Sequence, residues 1–175
     1  GTTSNLNYTT GQVIANMVIV PVGADGSIRL LTTRSTHIIA DVFGWFAASS
    51  STTPGSHFTS LTPTRLLDTR NGTGVPGGAT TQVAPGTTKV LDVTGVGGVP
   101  ASGVTAVVLN FTVTRPTSGG FLSVTPNGGT TTSNINYATN ETIAGLVVVP
   151  VGANGSIRYA VGGGSAHVIA DVLGW

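Results

Sequence analysis

Residues 146–161 read LVVVPVGANGSIRYAV, and residues 17–32 read MVIVPVGADGSIRLLT. In both stretches an apolar run rich in Val and Ile is followed by a Gly-containing turn and a second apolar run. β-Branched residues favour strands, and Asn-Gly or Asp-Gly supplies the positive φ angles of a type I′ turn. The pattern predicts two β-hairpins. Their first strands, 17–22 and 146–151, are expected to be covered on both faces because they are continuously apolar.

The remaining sequence has strand patterns and no helical periodicity. Residues 107–114 alternate between apolar and more polar side chains, which is typical of a strand with one solvated face. Gly, Pro and Asn interrupt the chain every few residues, as turns between short strands require. We therefore predict an all-β fold: an antiparallel β-sandwich, or a jelly-roll-like fold, built from repeated β-hairpin units.

The two quoted stretches belong to a longer internal repeat. Residues 2–45 and 131–175 align at an offset of 129, with one extra residue in the second copy before His167. We interpret residues 57–175 as a complete unit, with a first half at 57–129 and a second half at 130–175. Residues 1–46, here called the N-terminal copy, then correspond to the second half of a preceding unit. The Ser/Thr-rich stretch 47–56 is interpreted as a linker.

The N-terminal copy poses a packing problem. A few strands cannot bury their apolar faces without a partner sheet. Two arrangements remain open. The copy packs with the complete unit into one compact body, or it exchanges strands with neighbouring units or other chains.

Composition narrows the function classes. Charged residues make up 7% of the chain, against roughly 25% in an average soluble domain. The seven basic residues are scattered, which argues against a nucleic-acid partner because phosphate binding needs clustered cations. Cysteine is absent, which removes disulfides and thiolate chemistry. No apolar stretch approaches the ~20 residues of a membrane span, so membrane insertion is not expected.

Two His/Asp pairs recur in the repeat, His37 with Asp41 and His167 with Asp171. A spacing of four in a strand places both side chains of a pair on one face. A catalytic or metal site would need a third converging group, and the chain has six acidic residues in all. We favour structural polar pairs, satisfied by Arg65, Arg70 or backbone groups. Neither a catalytic residue, a metal nor a cofactor is expected.

The segment TRLLDTRNG at residues 64–72 allows two interpretations. Asp68, with the loop carbonyls of Asn71 and Gly72, could bind Ca²⁺, which requires several oxygen ligands. A structural pairing of Asp68 with Arg65 or Arg70, followed by an Asn-Gly turn, accounts for the same residues. We favour the structural pairing.

The duplicated Asn-x-Asn-Tyr motif supplies the candidate ligand-binding residues. Amide side chains can hydrogen-bond sugar hydroxyls while an aromatic ring covers an apolar sugar face. The alternative is that these side chains line strand edges and pack in grooves. The six residues are Asn5, Asn7, Tyr8, Asn134, Asn136 and Tyr137.

Three motifs carry a family resemblance. TRLLDTRNG at 64–72, SNLNY at 4–8 and HIIADVFGW at 37–45 resemble a tandem β-repeat module of large secreted actinobacterial proteins. The resemblance covers essentially the whole chain. It implies an extracellular or cell-surface location, in arrays or appended to polysaccharide- and cell-wall-active enzymes, and it implies no settled activity.

These observations predict a non-catalytic extracellular structural or adhesive repeat module of a secreted or cell-surface protein. Its expected partners are neighbouring repeat units or further copies of itself. The alternative is a carbohydrate-binding module that tethers an enzyme to polysaccharide or cell wall. A third possibility is an enzyme, and only the His/Asp pairs support it.

Overall fold

The computed structural model describes residues 4–47, 55–126 and 132–175. Residues 48–54 of the predicted linker lie outside these ranges, as do the first residues of the second half. Among the described residues, no helix is long and apolar enough to cross a membrane. A single 3-10 turn occupies Pro76–Gly78. The described strands are β1 (Ser60–Asp68), β2 (Lys89–Asp92), β3 (Ala106–Thr114), β4 (Gly120–Pro126), β5 (Ile135–Tyr137), β6 (Ile143–Pro150), β7 (Ser156–Gly162) and β8 (His167–Gly174).

The eight strands form two four-stranded antiparallel sheets. Sheet I has the order β1-β8-β3-β6, and sheet II has the order β2-β7-β4-β5. One hydrophobic core contains side chains of both sheets. Across it, the rings of Phe111 in β3 and Tyr159 in β7 lie 6.3 Å apart between centroids. The prediction of an all-β antiparallel sandwich is confirmed.

The two halves of the unit interlock completely in these sheets. Strands β1 to β4 belong to the first half and β5 to β8 to the second half. In both strand orders the halves alternate, so each of the six strand pairings joins a first-half strand to a second-half strand. Neither half pairs any of its described strands with another of its own. The sandwich therefore needs both halves.

Strand β3 shows why these residues form strands. Val107, Leu109, Phe111 and Val113 are fully buried, while the residues between them are partly exposed. This confirms the alternation predicted for residues 107–114. Because β3 lies between β8 and β6, its backbone is hydrogen-bonded on both edges, and its inner face supplies the centre of the core.

The predicted hairpin at residues 146–161 is wrong in two respects. The flanking strands β6 and β7 enter different sheets, so they do not pair with each other. The turn is also of another type, because only Gly155 has a positive φ, of 77°, whereas a type I′ turn needs two such residues. Gly155 N–H donates to the Gly152 carbonyl, and Gly152 N–H donates to the Ser156 carbonyl. A local signal fixed the turn but not the pairing of the strands.

The expectation that residues 146–151 are covered on both faces is also wrong. Val147 and Val149 are buried, whereas Leu146 and Pro150 on the other face are exposed. Strand β6 is an edge strand of sheet I, with its outer face open. Some apolar residues of this run are therefore not buried within the sandwich.

The N-terminal copy departs furthest from expectation. Residues 4–47 contain no strand in the structure, and the hairpin predicted at 17–32 is absent. Its turn is present, with Gly26 N–H donating to the Gly23 carbonyl and Gly23 N–H to the Ser27 carbonyl. The physical reason lies in the interlock: strands of a second half pair with strands of a first half. The described part of the chain holds one first half, which the second half already occupies.

Candidate functional site

The densest polar cluster lies where β1 ends against β8. The Asp68 carboxylate is fully buried and receives three guanidinium hydrogen bonds. Arg70 donates from Nε to Oδ1 at 2.9 Å and from Nη2 to Oδ2 at 2.7 Å. Arg65 donates from Nη1 to Oδ2 at 3.2 Å. Hydrogen bonding from Arg70 is the main cause that lowers the pKa of Asp68 to about 2, so this carboxylate stays ionised at neutral pH.

Arg65 also joins the two halves of the unit. Its Nε donates to Asp171 Oδ1 at 2.9 Å and its Nη2 to Oδ2 at 3.2 Å, which makes a bidentate pair. The two residues are register partners on β1 and β8. The hydrogen bonding of Arg65 to the Asp171 carboxylate is the main cause that raises the pKa of Arg65. One guanidinium thus bridges a carboxylate of each half, which is one of the pairings that the sequence left open.

The turn after Asp68 engages one of the two loop carbonyls proposed as calcium ligands, because the Gly72 carbonyl accepts from the Val75 N–H at 3.1 Å. The Asn71 side-chain oxygen accepts hydrogen bonds from Thr73 N–H at 3.0 Å and from the Thr73 hydroxyl at 2.8 Å. Gly72 has a φ of 83°, and a Cβ there would collide with the Gly78 carbonyl. With both Asp68 oxygens held by arginines, the contacts favour the ion-pair interpretation over the calcium interpretation.

His167 and Asp171 lie on β8 but do not contact each other. His167 Nδ1 lies 3.0 Å from the Thr69 hydroxyl, which also accepts from the Val168 N–H at 3.0 Å. The hydroxyl therefore bridges the imidazole ring and the backbone of β8. Burial is the main cause that lowers the pKa of His167. The imidazole therefore ties β8 to the segment after β1.

The first His/Asp pair has no comparable environment. His37 and Asp41 are exposed, and their side chains form no ion pair or hydrogen bond with the residues that the structure describes. Their counterparts each bind a group of the first half, Thr69 or Arg65. The N-terminal copy has no first half beside it in the structure, so this pairing is missing.

The Asn and Tyr candidates of the second half make framework contacts. Asn134 Oδ1 accepts from Val124 N–H at 2.6 Å, and Asn136 Oδ1 accepts from the Ser133 hydroxyl at 2.8 Å. Tyr137 is buried, and its hydroxyl donates to the Gly162 carbonyl at 3.0 Å. Burial raises the pKa of Tyr137. These atoms complete the β5 edge of sheet II and the core beneath it.

In the N-terminal copy the corresponding residues are exposed. Asn7 Oδ1 accepts from the Ser4 hydroxyl at 2.9 Å, which repeats the local contact between Ser133 and Asn136. The Asn5 carbonyl accepts from the Asn16 side chain, and Tyr8 is 38% exposed. The structure therefore does not gather the two Asn-x-Asn-Tyr motifs into one site.

Thr69 was not predicted as a functional residue. Its hydroxyl joins His167 and the backbone of β8, and the residue is buried. The chain is rich in threonine, and nothing in the sequence separates this one from the others. The one feature that could have drawn attention to Thr69 is its position between Asp68 and Arg70.

Comparison of the sequence with known protein families and with curated proteins gave no match. The site is therefore interpreted from its own contacts. Its charged groups face each other across the junction of the two halves, where they hold β1 and β8 together.

Proposed function

We propose that the chain is a non-catalytic structural or adhesive repeat module of a secreted or cell-surface protein. The observation that carries the proposal is the duplication of an interlocking half. A segment that pairs only with a complementary half is suited to connecting units along an array. An isolated catalytic domain has no need of such a second copy.

The chemistry of the polar cluster supports the same proposal. Arg65 and Arg70 neutralise Asp68, and Arg65 also binds Asp171. The His167 ring lies within hydrogen-bond distance of the Thr69 hydroxyl, and burial lowers the pKa of this imidazole. Groups that are paired in this way contribute to the framework, whereas a general acid or base needs a free face toward a substrate.

Extracellular location is part of the proposal. It is supported by the resemblance to secreted repeat modules and by a surface with few charges and many Thr, Ser and Gly residues. The expected partners are neighbouring units or other copies of the chain.

The test measures association of the purified full chain. Light scattering over a range of concentrations reports self-association, and co-sedimentation with insoluble glucan, chitin and peptidoglycan reports adhesion. We expect self-association or retention on at least one surface. A strictly monomeric chain that binds none of them would contradict the proposal. Retention on one glycan that Tyr8→Ala abolishes, with the fold intact, would instead support the carbohydrate-binding alternative.

A further inference from the structure

We propose that the N-terminal copy folds as the second half of another sandwich, completed by a first half from a neighbouring unit of the array. The inference rests on the proposed repeat-module function and names the partner of one segment. That partner is a polypeptide with the strand pattern of residues 57–126. Its four strands would alternate with those of the N-terminal copy as β1 to β4 alternate with β5 to β8.

The apolar face that such a partner would cover is already defined. Eight apolar positions of the second half are at most 5% exposed, while their counterparts in the N-terminal copy are 37% to 88% exposed. All eight counterparts are apolar or aromatic, so the inward-facing pattern is retained without its partner. The pairs are Leu6 and Ile135, Tyr8 and Tyr137, Val18 and Val147, Val20 and Val149, Ile28 and Ile157, Leu30 and Tyr159, Ile38 and Val168, and Val42 and Val172.

Exposure of this extent is unusual for a folded segment. Exposed apolar patches of this kind mark interaction surfaces. The residues on the face identify the occupant, because each repeats a residue whose neighbours in the complete unit are known. In that unit every strand of the second half is hydrogen-bonded to strands of a first half, in both sheets.

Local turns of the N-terminal copy are already formed as the second half has them. The hydroxyl of Ser27 donates to Asp25 Oδ1 at 2.7 Å, as that of Ser156 donates to Asn154 Oδ1 at 2.8 Å. Thr9 N–H likewise binds the Gln12 side chain, as Ala138 N–H binds Glu141. What is missing is the long-range pairing, and a first half would supply it.

The first half of the same chain is not available for this role. Strand β8 already lies between β1 and β3, and β7 lies between β2 and β4. The N-terminal copy also differs at core positions. Leu30 replaces Tyr159, whose ring packs near Phe111, and Thr36 replaces the fully buried Ala166. A first half from another unit, with its own core residues, fits these differences better.

The test uses the full chain extended at its N-terminus by a second copy of residues 57–131. Trypsin cleavage after Arg29 and Arg34 is followed in the original and extended proteins, and light scattering confirms that the extended protein is monomeric. We expect the extension to slow cleavage at these two sites by about tenfold or more, because cleavage then requires opening of a folded sandwich. As a control, Leu109→Asp and Phe111→Asp in the appended copy alone should restore fast cleavage.

A second variant is needed because the core residues of the N-terminal copy differ from those that residues 57–126 normally contact. Leu30→Tyr with Thr36→Ala in the extended protein restores the core residues to which residues 57–126 are adapted, and should slow cleavage further. Unchanged cleavage in both extended proteins would overturn the inference. So would slow cleavage of the unextended chain in a concentration-dependent dimer, because the occupant would then be a second copy. Neither result bears on retention at surfaces, which tests the proposed function separately.

Discussion

Asp68 is a fully buried, charged residue, and its ion pairs with Arg65 and Arg70 offset the cost of burying its carboxylate. A buried carboxylate costs several kcal/mol unless its oxygens are paired. Arg70 and Arg65 occupy both oxygens, while the guanidinium groups remain partly in solvent. The arrangement therefore stabilises the junction of β1 and β8 only while Asp68 is ionised.

The pH dependence of stability follows from this pair. The pKa of Asp68 falls from its usual 3.8 to about 2 on folding, so its contribution is complete above the unfolded pKa and is lost as pH falls toward the folded one. We expect Asp68→Asn to lower the free energy of unfolding by about 2 kcal/mol at neutral pH. Urea denaturation between about pH 5 and about pH 2 should show a steeper loss in the wild type than in the variant. Parallel pH profiles of the two proteins would contradict this role.

Thr69 allows a second prediction at the residue scale. Thr69→Val keeps the shape of the side chain but removes the acceptor of the Val168 N–H and the hydrogen-bond partner of His167 Nδ1. A buried N–H without a partner should reduce the free energy of unfolding by about 1 to 3 kcal/mol, as measured by denaturant titration. Thr69→Ser retains the hydroxyl and should stay within about 1 kcal/mol of the wild type. Equal losses in both variants would point to packing of the methyl group instead.

Individual contacts were only partly predictable from sequence. The spacing of Arg65, Asp68 and Arg70 indicated an ion-pair cluster, because opposite charges so close in a low-charge chain have few other partners. The sequence could not choose among partners for Asp171, since the choice depends on the register of β1 against β8. Thr69 escaped notice for the same reason.

At the scale of elements, turns and strands depend on different information. The turns at Gly26 and Gly155 have the same hydrogen bonds in both copies, because the residues that form them are adjacent in sequence. Within the described residues, strands form in the second half and not in the N-terminal copy, because the partners of a strand lie far away in the chain. Sequence patterns therefore located turns and apolar runs correctly. They did not predict which strands pair, because β6 and β7 lie in different sheets.

The duplicated tyrosines give a matched pair of variants for this difference. Tyr137→Ala removes a buried ring and its hydrogen bond to Gly162, and should reduce the free energy of unfolding by about 3 to 5 kcal/mol. Tyr8→Ala removes a more exposed ring in the N-terminal copy. This substitution should change the free energy of unfolding by less than about 0.5 kcal/mol. Thermal or denaturant unfolding measures both. Similar losses in the two variants would show that the N-terminal copy is packed as tightly as the second half.

At the scale of the whole molecule, alternation of the halves determines what can fold. Every strand of the second half borders the first half, and the main core contains both. The all-β class could be predicted from the sequence. The interlock could not, because nothing in a run of apolar residues states which other run will lie beside it. The interlock explains why a segment of similar sequence forms strands in the second half and none within residues 4–47.

Amide hydrogen exchange of the full chain tests this account most directly. The account predicts slow exchange in β6, β7 and β8, and fast exchange at the aligned positions within 14–44, despite their similar sequence. Comparable protection in the two copies would contradict it, because the N-terminal copy would then form stable strands without a first half of its own.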